Sequence, residues 1–359
     1  MKCKTNIIRN GYDFEKCLVH ARCAYSADMM IATAQYLDVT KCDVFESILL
    51  SISEDEGKTW SEFKYQEGLA SIIGADRETV ACDATPMYHK KTGKFLLLGA
   101  TTQYGLGDKN IIDVRVQNTF YSVFDKDKRE FKQLKFVDMP EFFGNSANGC
   151  GQSVELENGD LLIPINVWDW KVCRAFSTVM QCSFDGEDIK FIKMGSKVAI
   201  DIARGAYEPS LAYHNGMYYM TIRNDDCALV AKSKDGLNYE DMQLWKWEDG
   251  SILQSYNTQQ HFAEVDGKFC LVYTRRNGTN DHVPRHRAPL YMAEINDDLR
   301  LVKDSEIVVV PERGARLGNF GTTEYKDGKA IVTAAEWMQP KGCEKYGCDN
   351  AIYISFVEA

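Results

Sequence analysis

Six short apolar runs, each preceded by a tight turn, recur along this chain at near-regular intervals, and that recurrence limits the fold more than any other feature. The runs are 26-SADMMIATA-34, 94-KFLLLGA-100, 160-DLLIPINVW-168, 217-MYYMTIR-223, 268-KFCLVYT-274 and 329-KAIVTAA-335. They are too short for helices of ordinary length and rich in β-formers, so they read as strands. The turns ahead of them hold Asp28, Gly93, Gly159, Gly216, Gly267 and Gly328, spaced 65, 66, 57, 51 and 61 residues apart. A unit of strands and turns repeating at this length predicts propeller blades. The expectation is an all-β chain: a six-bladed β-propeller of four-stranded antiparallel sheets, with residues 1–359 as one domain. Two β-sandwiches would also give short strands, but they do not require this period.

Composition matters for what it excludes. The net charge of −10 argues against a nucleic-acid partner and means that an anion-binding site must gather its Arg residues locally. No apolar run reaches membrane-spanning length. The first residues, MKCKTNIIRNGYDFEKC, lack the apolar core of a signal peptide, and the 12 Cys show no regular spacing. Reduced thiols in a cytoplasmic protein are the expectation. No cofactor is implied: there is no P-loop, no dinucleotide fingerprint and no zinc spacing, and 343-CEKYGC-348 reads as a surface loop.

One turn carries more chemistry than a hairpin needs. In 53-SEDEGKTW-60 the pattern is S-x-D-x-G-x-T-W. Ser53 and Asp55 can bond nearby backbone N–H groups, Gly57 permits positive φ, and Trp60 can fold beneath the turn. This block resembles the Asp-box of the sialidase superfamily. Looser versions occur at 122-SVFDKDKREF-131, 183-SFDGEDIKF-191, 233-SKDGLNY-239 and 293-AEINDDL-299.

The resemblance extends to residues that would carry function. The stretch 207-YEPSLAYHNGMYYMTIR-223 is similar to a sialidase segment in which Glu supports the nucleophile and the Arg ending the returning strand grips a substrate carboxylate. It would make Glu208 a catalytic carboxylate and Arg223 a clamp residue. 22-RCAYSADMM-30 looks like a shortened sialidase opening and would make Arg22 the first clamp Arg. 287-RAPLYMAEIND-297 would supply Arg287 as the third, with Arg285 as competitor. The acid/base Asp falls within 38-DVTKCD-43, Asp43 fitting best and Asp38 second. Guanidinium suits this task because it binds carboxylate through two parallel charge-assisted bonds.

The departures are equally definite. Where the superfamily has a Tyr nucleophile, 318-GNFGTTEY-325 offers Phe320, which has no oxygen to attack with. His261, His282 and His286 are alternative proton-transfer groups close to the Arg287 strand, His261 and His286 also being substrate-binding candidates with Phe320. His20 would share a face with Arg22. Asp83, Gly151 and Gln152 are further candidates for the channel mouth, and 168-WDW-170 is either a sugar shelf or blade packing. What the resemblance implies is an exo-acting hydrolase removing a terminal carboxylate-bearing sugar, foremost sialic acid, from an acidic glycan. The alternatives are a His-dependent lyase or glycosidase on uronate-containing glycans and a propeller that binds glycan without turnover.

Overall fold

The computed structural model describes every residue except 108, 110, 111, 113–115 and 144. Its sheets form the six expected blades, each with four principal antiparallel strands. Blade one comprises Lys16–Tyr25, Met30–Asp38, Phe45–Ser53 and Lys64–Tyr65. Blade four comprises Tyr207–His214, Met217–Arg223, Ala228–Ser233 and Glu240–Leu244. In blade six the fourth strand is the N-terminal segment Lys2–Arg9, which pairs with Ile352–Glu358 and closes the ring. The six turns singled out in the sequence each join the first and second strands of a blade. The five that contain Gly place it at φ between 67° and 82°, the left-handed region that only Gly enters without strain.

Apolar side chains are buried between blades. Ile31, Ile48 and Leu50 of blade one meet Leu97 and Phe120 of blade two. Val272 and Met292 of blade five meet Val332 and Tyr353 of blade six. A fully buried Leu or Ile contributes roughly 1.5–3 kcal/mol, so the ring is held chiefly by these interfaces. The block 53-SEDEGKTW-60 lies at the periphery, between the third and fourth strands of blade one. There Asp55 accepts the Thr59 N–H at 2.8 Å and the Thr59 hydroxyl at 2.6 Å, Ser53 Oγ accepts the Gly57 N–H at 2.9 Å, and the Trp60 indole N–H donates to Gly57 O at 3.1 Å. Asp235 accepts the Leu237 and Asn238 N–H groups in the same way in blade four. All 12 Cys are free thiols. Among the described residues no helix is long and apolar enough to cross a membrane.

One irregularity shapes the channel. The first strands of blades one, two and four each carry a bulge, between Val19 and Arg22, Cys82 and Thr85, and Tyr207 and Ser210. Within them His20, Asp83 and Glu208 adopt φ of 56°, 51° and 43°. In blade three the inner segment leaves the ladder between Ala147 and Val154, with Cys150 at φ 90°. A bulge re-aims side chains and is common beside active sites.

Candidate functional site

Antiparallel order puts the first hairpin of every blade on one face of the disc. The connections between second and third strands, and the segments entering first strands, then fall on the other face. Asp43, Arg285 and Arg287 lie on loops of that second face, where Arg223 ends its strand. The bulges bring Asp83, Cys150 and Glu208 together there, their ligand atoms within 4.8 Å of one another.

Glu208 and Arg223 meet as their hairpin spacing requires. Tyr207 pairs with Arg223 across the ladder, and Glu208 Oε1 accepts from Arg223 Nη1 at 2.6 Å. Arg223 Nη2 also donates to Asn257 Oδ1. Burial is the largest influence and works against the Arg223 cation, but the charge of Glu208 and its hydrogen bond together raise the pKa. Two buried polar atoms remain without partners here, Glu208 Oε2 and Arg223 Nε.

Arg287 is buried differently. Its stem crosses Gly318, where a Cβ would come within 2.6 Å of Arg287 Cδ. Nε donates to Asn257 O at 3.0 Å, Nη2 donates to the same carbonyl, and Nη1 reaches Asn319 Oδ1 at 3.4 Å. Among the described residues no carboxylate forms an ion pair with it. Burial, and then the Arg223, Arg316 and Arg285 charges, hold its pKa well below the usual Arg value. Among the described residues Arg285, Arg287 and Arg316 form no ion pair, whereas Arg22, Arg204 and Arg223 each have a carboxylate within 2.7 Å.

Arg22, expected as the first clamp residue, is 1% exposed and bonded to the protein's own acceptors. Nε donates to Phe320 O at 3.1 Å and Nη1 to Ala84 O at 3.1 Å. Nη2 donates to Asp83 Oδ1 at 2.7 Å and Gln259 Oε1 at 3.3 Å. Four of the five guanidinium N–H groups are thereby occupied. Burial raises the pKa of Asp83, but His20 and Arg22 together lower it further, so it stays ionised. Asp83, Cys150 and Glu208 have the donor types of a metal site. Yet both carboxylates already carry an Arg counter-charge, and burial together with Glu208 and Asp83 pushes the Cys150 thiol well up, keeping it protonated. That charge state favours neutralised side chains over a cation centre.

Two expected substrate contacts are corrected. Phe320 is fully buried, within the core shared by blades five and six, because Gly321 begins a strand and turns the ring into the blade interface. His261 packs on that ring at 4.7 Å and bonds Ser210 Oγ at 2.9 Å. Burial, then Arg22, lowers its pKa to about 3. It is neutral and shut away from any sugar. Gln152 is likewise spent in bridging blades, accepting from Phe262 N at 2.7 Å and donating to Phe262 O at 2.9 Å. Asp38 caps its own turn on Thr40 N at 2.8 Å, and His282 pairs with Glu312 at 3.0 Å.

The remaining candidates stay at the mouth. Asp43 has φ 51°, and its carbonyl accepts the Tyr104 hydroxyl at 2.7 Å. His286 joins a small network: Tyr256 Oη lies 2.6 Å from Nδ1, and Nε2 faces both Asp281 Oδ1 at 2.9 Å and the Arg276 Nε–H at 3.2 Å. Trp170, at the end of the blade-three hairpin, is 56% exposed on this face. Cys150, Asn257 and Arg316 belong to the site but were not anticipated. Cys150 follows no motif, and only the anomalous Arg content of 313-RGAR-316 in an acidic chain hinted at the last.

No protein-family model and no curated protein sequence matches the chain. Solved structures do. Trypanosoma rangeli sialidase in complex with the inhibitor DANA aligns with a TM-score of 0.68 at 15% identity, covering 99% of this chain and 59% of that one. A leech intramolecular trans-sialidase complexed with 2,7-anhydro-Neu5Ac aligns at 0.63 and 14% identity, covering 99% and 70%. The NanB sialidase of Streptococcus pneumoniae aligns at 0.63 and 13% identity, covering 98% and 70%. This chain therefore spans about three fifths of the length of the Trypanosoma enzyme. Identities of this size speak for the fold alone, and with the six blades and their closing N-terminal strand they establish that the chain has the sialidase-like propeller fold.

Proposed function

We propose that this protein is an exo-acting glycoside hydrolase that removes a terminal carboxylate-bearing sugar, foremost sialic acid, from an acidic glycan. One observation carries the reading: Arg287 is a buried guanidinium that has no carboxylate partner among the described residues, beside Arg223, on the face where the bulged strands converge. A buried cation left without an anion is costly unless a ligand supplies one. The sugar carboxylate would bind Arg287 and Arg223. Asp43, on the loop across the mouth, would protonate the leaving oxygen. Glu208, paired with Arg223 at 2.6 Å, would stabilise positive charge at the anomeric carbon or accept a proton from attacking water. With Phe320 buried and carrying no oxygen, water attacks directly, and the anomeric configuration inverts.

Incubation with sialyl, uronyl and rhamnosyl-uronate oligosaccharides, with products read by mass, tests this. A released acidic monosaccharide is expected, and Asp43→Ala should slow release by about 10²–10⁴-fold. Full activity in that variant would remove Asp43 from the mechanism.

A second reading rests on Tyr256–His286–Asp281. A phenol bonded to a His that a carboxylate orients is a proton-transfer chain, suited to abstracting the proton beside a clamped uronate carboxylate. An unsaturated product absorbing in the ultraviolet, abolished in His286→Ala, would select elimination. Binding without either product would select a glycan-binding propeller.

A further inference from the structure

We infer that Arg316, on the segment leading into blade six, is a direct ligand of the substrate anion and takes the place that Arg22 leaves, so that the pocket is built from Arg223, Arg287 and Arg316. This rests on the proposed acidic-sugar site and specifies its third cation. Arg22 is enclosed and has spent four N–H groups on the protein. Arg316 has the opposite bonding. Its guanidinium lies over the Trp337 ring at 4.8 Å, and Nη2 donates a long hydrogen bond to Gln339 Oε1 at 3.5 Å. Among the described residues its buried Nε has no hydrogen-bond partner. Stacking on an indole holds a guanidinium flat while leaving its edge free to bind.

The main chain brings this edge to the pocket. Leu317 N–H donates to Arg287 O at 2.6 Å, and the Arg287 stem crosses Gly318, so both arginines rise from adjoining backbone. Trp337 N–H donates to Arg316 O at 2.9 Å and fixes the residue from the other side. Gln339 links Arg316 to the loop of the proposed acid, its amide donating to Val39 O at 3.1 Å and Lys41 O at 2.8 Å. Arg316 thus stands between Arg287 and Asp43. Burial, then Arg285, lowers its pKa to about 10, with Asp43 acting in the opposite sense. It remains a cation at neutral pH, and among the described residues no carboxylate forms an ion pair with it.

Titration calorimetry of the full chain with inorganic sulfate, glucuronate and N-acetylneuraminate tests the assignment, alongside thermal melting. Wild type should bind at least one of these anions. Arg316→Gln should weaken that binding roughly 10- to 100-fold with little change in Tm, and Arg316→Lys should recover only part of it, since an ammonium lacks the planar fork. Unchanged anion affinity in Arg316→Gln overturns the inference, as does the absence of any anion binding by wild type. Should Arg316→Gln fail to fold, Trp337→Leu, which frees the guanidinium from its stack, must weaken binding instead. The two readings separate cleanly. Anion binding that needs Arg316, without turnover of any glycoside, keeps the pocket and removes the hydrolase. Turnover with KM unchanged in Arg316→Gln keeps the hydrolase and removes this ligand.

Discussion

The two halves of the channel mouth hold similar residues in opposite states. On the side of blades one and two, Arg22, Asp83, His20 and Gln35 form a closed network. Asp83 meets Arg22 at 2.7 Å, His20 bonds Gln35 at 3.0 Å, and Gln35 accepts the Asp83 N–H at 3.1 Å. On the side of blades five and six, Arg285, Arg287 and Arg316 lie near one another, and among the described residues no carboxylate is in ion-pair contact with them. The first arrangement is what a protein builds to satisfy itself. The second leaves donors and charge for something else. Residue type alone does not separate a structural Arg from a binding one; its acceptor list does.

The sharpest way to break the comparison is to truncate one Arg from each side. Arg22→Met removes the nearest counter-charge of a half-buried Asp83 and leaves it only His20 at 3.7 Å; it should cost about 3–5 kcal/mol of stability by chemical denaturation. Arg287→Met removes a cation that no carboxylate among the described residues pairs with. Its stability should stay within about 1 kcal/mol of wild type, while substrate binding weakens by about 2–5 kcal/mol. Equal stability losses would show that the two sides do not differ as described.

Acid should act on the buried histidines. His261 titrates near 3 when folded, against 6.5 unfolded, because burial and Arg22 disfavour its charge. Burial likewise lowers His20. Above pH 6.5 both are neutral in either state and their contribution is complete. As pH falls from 6.5 toward 3, the unfolded chain takes up protons that the folded one refuses, so stability drops. For His261 the loss amounts to a few kcal/mol, and a His261→Gln variant should show a flatter pH–stability curve over that window. An unchanged slope would place the titration elsewhere.

The glycines beneath the two arginines sharpen the contrast further. Gly318 lies under Arg287 and Gly321 under Arg22, where an added Cβ would approach side-chain carbons at 2.6 and 2.8 Å. Either change to Ala overpacks the site by about 1–3 kcal/mol. Gly321→Ala should appear mainly as a lower Tm, and Gly318→Ala mainly as a raised KM or weaker anion binding. Reversed effects would exchange the roles of the two sides. The smallest effect belongs to the periphery. Asp55→Ala should lower Tm slightly, as for loss of a cap, and leave activity untouched.

Much of the fold was legible because turn chemistry is local. Gly at positive φ, and Asp or Ser bonding N–H groups two to four residues away, leave a signature within each blade, and its period reports the ring. The Glu208–Arg223 pair was legible for the same reason: 15 residues of hairpin leave the two ends nowhere else to go. Counting residues back from the last turn failed at Phe320, since distance along a strand does not say which side of the blade a ring enters.

The sequence by itself determined the six blades, their turns and the side chains one hairpin apart, because each depends on neighbours within a few tens of residues. Only the tertiary structure decided which arginines are free. Arg22 meets acceptors 61, 62, 237 and 298 residues away, while Arg287 and Arg316 meet none among the described residues that carries a charge. Whether a buried charge is balanced depends on every blade that reaches the channel, and no local pattern records that sum.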